Sequence, residues 1–540
     1  MSRLTTSIIF RYYALAACCC FFFSGLAFIP HLGLQNDEAL FADPLFEPKS
    51  VAYLVKIGHS RFPLMLMTYL GTLKSWIYRP IFHLLGTGIW VVRIPMLLAG
   101  TASVWLFYVF LRRIAGQRAA LLGCGLLAVD SLYLLTICFD WGPVALQHLL
   151  LVSGVLLLVR FYQTRQEVSL GWGWALLGLA MWDKALAIWM LGGFLVAGIT
   201  VLSKYFVRVT DLRRVAISVI SFCLGALPLI VYNVDNRGIT FRGNTSWETR
   251  DIAGKARLLE ATADSRALFG WFVNEDWQTD RPHPPDSVWT AASARISAIA
   301  RTPRNNLMLW AFGLALLLTP LARGDALKAI LFALIAMVVA WGQMAVTANA
   351  GGSVHHAILL WPLPEMVIAV SFAAASRRLK RGGVPVLAAV LGVMMIAGML
   401  VTNEYYTRMR RNGGGMNWTD AIFRLSDHMK TEHAKYVYSV DWGIMDSLRL
   451  LNRGKLPLRV GTDPISKREL NDEDREYLGR MIDPENVFIN HTKDFEFFEG
   501  VNAKLVKYAE AAGYRREVEA VIPDSNGRPV YEVYRFIRKN

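Results

Sequence analysis

Charged residues are scarce in this sequence: Asp, Glu, Lys and Arg make up 18% of its 540 residues, whereas 54% are hydrophobic. Soluble domains carry about a quarter charged residues, so the composition excludes an ordinary soluble enzyme and indicates a chain that folds in a lipid bilayer. The formal net charge is +15. Many of the Lys and Arg residues stand between hydrophobic runs instead of forming a groove-facing surface, so no nucleic-acid partner is expected.

The sequence also lacks cysteine in its polar stretches. All six cysteines fall in hydrophobic segments, at positions 18, 19, 20, 124, 138 and 223. This excludes a disulfide framework or a cysteine-based zinc site in the polar regions. The N-terminus resembles a signal peptide, because Arg3 and Arg11 come before a hydrophobic stretch, but no small-residue cleavage site follows. We therefore predict an uncleaved signal anchor.

Hydrophobic runs dominate the first 402 residues. A membrane-spanning helix needs about 20 predominantly hydrophobic residues, and about eleven segments qualify or come close. They are 8–30, 89–111, 119–139, 143–162, 169–183, 185–203, 214–233, 305–321, 326–346, 356–375 and 384–402. The pattern predicts an α-helical polytopic membrane protein, with a transmembrane module over residues 1–402.

Basic residues alternate with these spans and predict an orientation. Short cytoplasmic loops are enriched in Lys and Arg, and every second loop here is basic. Those loops contain Arg112, Arg113 and Arg118; Arg160 and Arg165; Lys204, Arg208, Arg213 and Arg214; Arg323 and Lys328; and Arg377, Arg378, Lys380 and Arg381. We expect a multi-pass protein of the cell membrane, with a cytoplasmic N-terminus and a C-terminus outside, in the periplasm.

This orientation requires residues 31–88 to stay outside, although the segment 62–85 is rich in hydrophobic residues. Lys74, Arg79 and His83 interrupt it. We predict a pair of amphipathic helices on the outer membrane surface, whose basic residues can reach lipid headgroups or a phosphate. The alternative is a twelfth span, which would invert every later loop.

Two further regions are expected outside the membrane. Residues 234–304 form a polar loop with a predicted surface helix around 247–271, and residues 403–540 are long enough for a small domain. This tail is predicted to be α/β. Its expected strands are 436–440, 456–460, 487–490 and a closing pair around 524–527, with helices at 467–482 and 501–511.

Adjacent carboxylates follow the first span directly. Asp37 and Glu38 would lie just outside the membrane, where a partly desolvated carboxylate can act as a general base. The alternative is a solvated loop with helix-capping acids. Asp140, at the outer end of the third span, is a further candidate, and its alternative role is to cap the helix that begins near Pro143.

Two other polar groups interrupt hydrophobic segments at the same predicted boundary. Asp183 and Lys184 form an ionisable pair, and such a pair is costly at this depth and often functional. Lys184 could neutralise a lipid phosphate, or simply pair two helices. His355 and His356 can donate hydrogen bonds to phosphate oxygens. They could also bind a divalent metal, although no convincing third ligand accompanies them, or they could be interfacial side chains beside a proline-kinked span.

In their order along the chain, these elements resemble the GT-C glycosyltransferases related to protein O-mannosyltransferases and lipid A aminoarabinose transferases (glycosyltransferase family 39-like, bacterial). The resemblance covers roughly residues 8–402. Its motifs are Asp37-Glu38-Ala39 in the first outer loop, Arg93-Ile94-Pro95, the basic turn 112–118, Asp140, Lys184, and His355-His356 followed by Pro362 and Pro364. The chain departs from the family's usual Thr or Ser before the lysine, Gly after it, and Tyr after the first histidine.

The resemblance implies transfer of a sugar, a hexose or a pentose, from a polyprenyl-phosphate carrier, with inversion at the sugar carbon. The acceptor, which would be a protein, lipid or glycan of the cell envelope, would enter from outside. Asp37 would be the general base, and Glu38 and Asp140 would position substrates. Lys184 with His355 or His356 would stabilise the departing phosphate. Independently of the resemblance, Lys74 and Arg79 on the predicted amphipathic helices are further candidates for phosphate binding. No cofactor is certain, and the metal requirement stays open.

Two rival interpretations accompany this one. In a transporter or lipid-binding membrane protein without transferase activity, the charges should reach the bilayer midplane. An oligosaccharide ligase or polymerase would share the fold and use another donor. The clustering of the charged residues at one boundary, and the lack of an inverted repeat, favour the glycosyltransferase.

Overall fold

The computed structural model of the chain describes residues 3–209, 211–467 and 469–539. Its N-terminal part combines one long helix with a short, mixed segment. The elements are α1 (Arg3–Phe28), α2 (Asn36–Ala39), α3 (Asp43–Phe46), β1 (Tyr53–Ile57), β2 (Ser60–Met65) and α4 (Leu73–Leu85). We refer to residues 29–50, between α1 and β1, as the first outer loop, a name taken from its predicted position outside the membrane.

A continuous series of helices follows. Backbone N–H and C=O groups inside a bilayer must form hydrogen bonds within the protein, and for this reason the hydrophobic segments form helices. The elements are α5 (Ile89–Ile114), α6 (Gln117–Ala128), α7 (Ser131–Cys138), α8 (Ala145–Thr164), α9 (Glu167–Asp183), α10 (Ala187–Val209), α11 (Leu212–Gly225) and α12 (Leu227–Asp235). Local sequence features explain where α7 and α12 begin. The Asp130 side chain caps α7 by accepting from the Tyr133 amide at 2.7 Å, and Pro228 stands in the first turn of α12.

Eight further α-helices complete the module. They are α13 (Ile239–Asn244), α14 (Ile252–Ala263), α15 (Val288–Ile299), α16 (Met308–Leu318), α17 (Asp325–Ala345), α18 (Val354–Ala357), α19 (Leu363–Arg378) and α20 (Gly383–Asn412). Helix α14 occupies the middle of the predicted surface helix, and α20 continues past residue 402 to Asn412.

Each of the eleven predicted hydrophobic segments coincides with a helix or a bent helix pair, so the polytopic helical prediction is confirmed. Among the described residues, six helices are long and apolar enough to cross a membrane, and two bent pairs bring this number to eight. The pairs are α6 with α7, bent by 59°, and α11 with α12, bent by 74°. Tyr12–Phe28 and Met308–Leu321 are shorter apolar helices. The number of about eleven spans stays a prediction.

The predicted helix pair over residues 62–85 is wrong in its first half. Residues 53–65 form an antiparallel hairpin, in which Ile57 pairs with Ser60 across a turn with Gly58 at φ +61°. Only the second half is helical. At 1.5 Å per residue, the 13-residue helix α4 is about 20 Å long, which is shorter than the roughly 30 Å hydrocarbon core. Helix α4 by itself is therefore too short to cross the hydrocarbon core, and that residues 31–88 all stay outside remains a prediction.

Glycines allow a close contact between α9 and α11. A Cβ on Gly178 would lie 2.2 Å from the Phe222 carbonyl oxygen, and one on Gly225 would lie 2.2 Å from that of Ala175. Small residues at such crossings let helix backbones approach closely in membranes. The contact fixes α9, which ends at Asp183, one residue before Lys184.

The C-terminal part is an α/β domain, as predicted. Its elements are α21 (Ala421–Met429), β3 (Val437–Ser439), α22 (Met445–Leu451), β4 (Leu458–Val460), α23 (Asp463–Ser466), α24 (Asp472–Met481), β5 (Val487–His491), α25 (Val501–Ala511), β6 (Tyr514–Pro523) and β7 (Pro529–Arg538). The sheet order is β4-β3-β5-β7-β6, with β4, β3 and β5 parallel and β7 and β6 antiparallel. Residue 468, within the predicted helix 467–482, lies outside the described residues.

Side chains alternate between the two faces of this sheet, as the pleat requires. One face packs with Leu478 of α24 and Leu505 of α25 in a core of its own. The other face joins the large hydrophobic core that continues into the helical module, together with Leu425 of α21 and Leu448 of α22. Helix α22 is therefore packed towards the helical module.

Candidate active site

The first outer loop is anchored by a buried ion pair between Glu38 and Arg93. The Arg93 side chain, on α5, reaches the Glu38 carboxylate with Nε at 2.5 Å and Nη2 at 2.8 Å, and both side chains are fully buried. Arg93 also donates to the carbonyls of Ile29, Leu32 and Gly33. Glu38 thus holds the loop against α5, with both of its oxygens occupied.

Asp37 points into a different environment from that of its neighbour. Its backbone amide donates to the Gln35 side chain at 2.6 Å, which caps α2. Among the side chains that the structure describes, none forms an ion pair with the half-buried Asp37. Burial raises the pKa of Asp37, whereas the charges of Lys184 and Lys74 and a hydrogen bond with Asn36 act in the opposite direction. Asp37 therefore lies in the electrostatic field of two lysines.

Lys74 and Asp140 form a second buried ion pair. The Lys74 Nζ, on α4, lies 2.5 Å from Asp140 Oδ2, and both side chains are 3% exposed. Lys74 Nζ also lies 4.0 Å from the centre of the Phe41 ring in the first outer loop. The other Asp140 oxygen accepts from the Ala145 amide at 2.9 Å, at the start of α8. Asp140 therefore both caps α8 and neutralises Lys74.

Lys184 occupies the break between α9 and α10 and is buried. Its Nζ donates to the Gly142 carbonyl, and its own carbonyl accepts from the Gln147 side chain at 3.0 Å. Burial lowers the pKa of Lys184 to about 8, although the charges of Asp37, Asp183 and Asp140 raise it. Because of its burial, the ammonium group is easier to deprotonate than that of an ordinary lysine, even with three carboxyl groups acting on it.

The two histidines lie beside the same segment. A Cβ on Gly142 would lie 2.4 Å from His355 Cδ2, so this imidazole packs directly on the glycine whose carbonyl binds Lys184. The His355 ring also contacts Trp141, with centroids 4.8 Å apart, and its Nδ1 is 2.7 Å from the Ser353 hydroxyl. The His356 ring packs against Trp189. His355 and Lys184 therefore meet at Gly142.

Arg79 is separate from this cluster. It lies on α4 together with Lys74, but its side chain is exposed. The structure thus brings together Asp37, Lys74, Asp140, Lys184 and His355, with His356 adjacent, and leaves Arg79 at the surface. Among the described residues, no group of three His, Cys, Asp or Glu side chains is arranged to hold a metal ion.

Sequence reasoning did not identify two carboxyls inside the helical module. Asp130 is buried between α6 and α7, and its second oxygen accepts from the Trp361 indole at 3.2 Å. Glu365 is fully buried in α19. A usable signal was present, because an acidic residue within a hydrophobic segment is costly and often functional.

Comparison with known proteins places this geometry in context. Residues 71–232 match the family described as dolichyl-phosphate-mannose-protein mannosyltransferase. This segment carries Lys74, Arg93, Asp140 and Lys184, and it makes up less than half of the chain. A comparison with curated protein sequences gives no significant match.

Solved structures match over almost the whole chain. The crystal structure of ArnT from Cupriavidus metallidurans bound to undecaprenyl phosphate has a TM-score of 0.59 at 14% identity, with 98% of both chains covered. The apo structure of the same protein has a TM-score of 0.58 at 13% identity, again with 98% of both chains covered. At this identity the likeness establishes the fold. The resemblance to GT-C glycosyltransferases is thereby confirmed, and the chain is a polytopic membrane protein with the GT-C fold and a C-terminal α/β domain.

Proposed function

We propose that this protein transfers a sugar from a polyprenyl-phosphate-linked donor to an acceptor on the extracytoplasmic side of the membrane, with inversion at the sugar carbon. One observation carries the proposal: Asp37, Lys74, Asp140, Lys184 and His355 come from separate segments and converge within an otherwise hydrophobic helical module. Buried charges are expensive in such surroundings. The similar fold of ArnT, which was crystallised with undecaprenyl phosphate, supports a lipid-phosphate donor.

Asp37 is the proposed general base. The acceptor hydroxyl oxygen attacks the anomeric carbon and its proton passes to the Asp37 carboxylate, while the bond from that carbon to the phosphate oxygen breaks. The bonding electrons leave with polyprenyl phosphate. Asp37 fits this role better than Glu38, because Arg93 already occupies both Glu38 oxygens. Glu38 would then hold the loop in position.

The leaving phosphate needs positive charge or hydrogen-bond donors nearby. Lys184 is the proposed partner, since its cation is buried beside His355, which can donate a further hydrogen bond. Lys74 is less free for this purpose, because Asp140 neutralises it at 2.5 Å. We propose that the Lys74 and Asp140 pair orders the site and that the exposed Arg79 contributes less.

The proposed orientation rests on the basic loops of the sequence. The turn between α5 and α6 contains Arg112, Arg113 and Arg118, so it would face the cytoplasm. The first outer loop and the C-terminal domain, residues 403–540, would then face outside. The acceptor would enter from that side, and the lipid donor would enter laterally from the bilayer.

A transfer assay tests the proposal. Purified protein is incubated with a panel of radiolabelled polyprenyl-phosphate sugars and a cell-envelope fraction as the source of acceptor, and release of polyprenyl phosphate is followed. We expect release with at least one donor and a strong loss in Lys184→Met. Wild-type protein that stays inactive with every donor would contradict transferase function, and full activity of Lys184→Met would contradict the phosphate role.

A further inference from the structure

A second buried arginine, from the C-terminal domain, contacts the first outer loop at Asp43. Arg449, on α22, lies with Nη1 2.6 Å from Asp43 Oδ2. The two side chains are 7% and 6% exposed. Asp43 begins α3, six residues after Asp37. The segment with the proposed base therefore lies between the Glu38 anchor to α5 and the Asp43 anchor to α22.

Other contacts tie α22 to the same loop. The Ser447 hydroxyl, which is fully buried, donates to the Leu34 carbonyl at 2.9 Å. Arg449 also contacts Asp446 Oδ1 at 3.2 Å within α22. Helix α22 thus contacts the loop on both sides of Asp37 along the chain, at Leu34 and at Asp43.

The electrostatics of α22 support its closeness to the proposed base. Burial, followed by the negative charge of Asp43, raises the pKa of Asp446 to about 8, and the charge of Asp37 acts in the same direction. Arg449 is the cation that partly offsets these negative charges. Without Arg449, the Asp43 carboxylate would stay buried and lose this cationic partner.

Asp37 has little else to fix its position. None of the described side chains forms an ion pair with it, and its hydrogen bond with Asn36 is to its neighbour in the same loop, so its placement follows from the position of the loop. A misplacement of about 1 Å in a reacting group can cost on the order of 100-fold in rate. A movement of Asp43 would be transmitted through the short segment 37–43 to Asp37.

We propose that Arg449 is a positioning residue for glycosyl transfer: from the C-terminal domain it fixes Asp43, and thereby the loop that presents Asp37. This inference rests on the proposed function of Asp37 as the general base. It makes the C-terminal domain part of the catalytic unit, although this domain lies outside residues 71–232, the segment that matches the mannosyltransferase family.

The test compares Arg449→Met with a control in the same domain. Arg535 is 18% exposed and forms ion pairs with Glu519 at 2.7 Å and Glu432 at 3.2 Å. Neither partner belongs to the first outer loop, so Arg535→Met removes a paired cation from the same domain and leaves the contacts of that loop intact. With the polyprenyl-phosphate sugar that the wild type turns over fastest, we expect Arg449→Met to lower kcat about 10- to 100-fold, with the donor KM within about threefold. Arg535→Met should keep kcat within about threefold. Arg449→Lys, which retains the charge but not the planar guanidinium, should lower kcat less than Arg449→Met and more than Arg535→Met.

Two further measurements separate positioning from general destabilisation. If Arg449 acts through Asp43, the effects of Arg449→Met and Asp43→Asn on kcat should be clearly less than additive. Hydrogen exchange of residues 36–46 should be faster in Arg449→Met than in wild type, and unchanged in Arg535→Met. If Arg449→Met cannot be purified, Arg449→Lys and Asp43→Asn are assayed instead, and each should lower kcat more than Arg535→Met does.

A wild-type kcat in the Arg449 variants, additive effects with Asp43→Asn, or unchanged exchange of residues 36–46 would overturn the inference. Failure of the transferase proposal gives a different result, because the wild-type protein itself would then release no polyprenyl phosphate. The exchange experiment would still test whether Arg449 holds the loop.

Discussion

Replacement of a carboxylate by an amide is expected to lower kcat at Asp37 and stability at the neighbouring Glu38. Asp37→Asn and Glu38→Gln each replace a carboxylate by an amide of nearly equal volume. Asp37 is half-buried and forms no ion pair with any side chain that the structure describes, so Asp37→Asn should change the free energy of unfolding little. Glu38 is fully buried against Arg93.

The magnitudes follow from these surroundings. Loss of a general base typically lowers the rate by about 100- to 10,000-fold, and we expect a kcat decrease of this size for Asp37→Asn. Removal of one partner from a buried ion pair costs about 3–5 kcal/mol, so Glu38→Gln should mainly destabilise the protein, because Arg93 would keep only its hydrogen bonds to backbone carbonyls and to the amide.

The assay combines two readouts on the same purified variants. Thermal unfolding in detergent reports stability, and release of polyprenyl phosphate at saturating donor, well below the unfolding temperature, reports kcat. Asp37→Asn should unfold like wild type and turn over very slowly, whereas Glu38→Gln should unfold at a lower temperature and lose less activity per folded molecule. Near-normal turnover in Asp37→Asn, with collapse in stably folded Glu38→Gln, would refute the assignment and make Glu38 the base.

Three other predictions follow from the site and the topology. Lys74→Met should destabilise the protein by about 3–5 kcal/mol, since it leaves Asp140 unpaired. Replacement of the exposed Arg79 by Ala should change the stability by no more than about 0.5 kcal/mol, and equal effects of the two variants on thermal unfolding would contradict this prediction. The transfer rate should fall as the pH rises through about 8, where Lys184 loses its proton, and Lys184→Arg should move this decline to higher pH; an unchanged profile would exclude Lys184 as its source. A reporter fused after Asn540 should be active only outside the cytoplasm, and cytoplasmic activity would overturn the proposed orientation.

The sequence allowed the helical module and the C-terminal sheet to be predicted because both depend on local pattern. Hydrophobic runs of about 20 residues are typical of transmembrane helices, and the short strands of the tail show alternation and turn residues. The hairpin at 53–65 was missed because the hydrophobic residues after Phe62 fit a helix equally well. Its signal was the turn at Gly58 and His59, whose neighbours Ile57 and Ser60 pair with each other.

The pairing of charged residues could not be predicted in the same way. The sequence placed Asp37, Asp140 and Lys184 at one predicted boundary, but Lys74 and Asp140 are 66 positions apart, and Arg93 and Glu38 are 55 apart. No periodicity links residues at such separations. Only the tertiary structure distinguishes a carboxylate that is locked by arginine from one that is available for chemistry.

The glycine contact between α9 and α11 makes the site sensitive to a change of a single methyl group. An added Cβ at Gly178 would overlap the Phe222 carbonyl, so the two helices would have to separate. The displacement of α9 would also move Lys184, which directly follows the C-terminal end of this helix. An uncharged substitution at a buried helix contact can therefore abolish activity. A genetic screen for inactive variants should find substitutions of Gly178 and Gly225 by larger residues as well as substitutions of the charged residues.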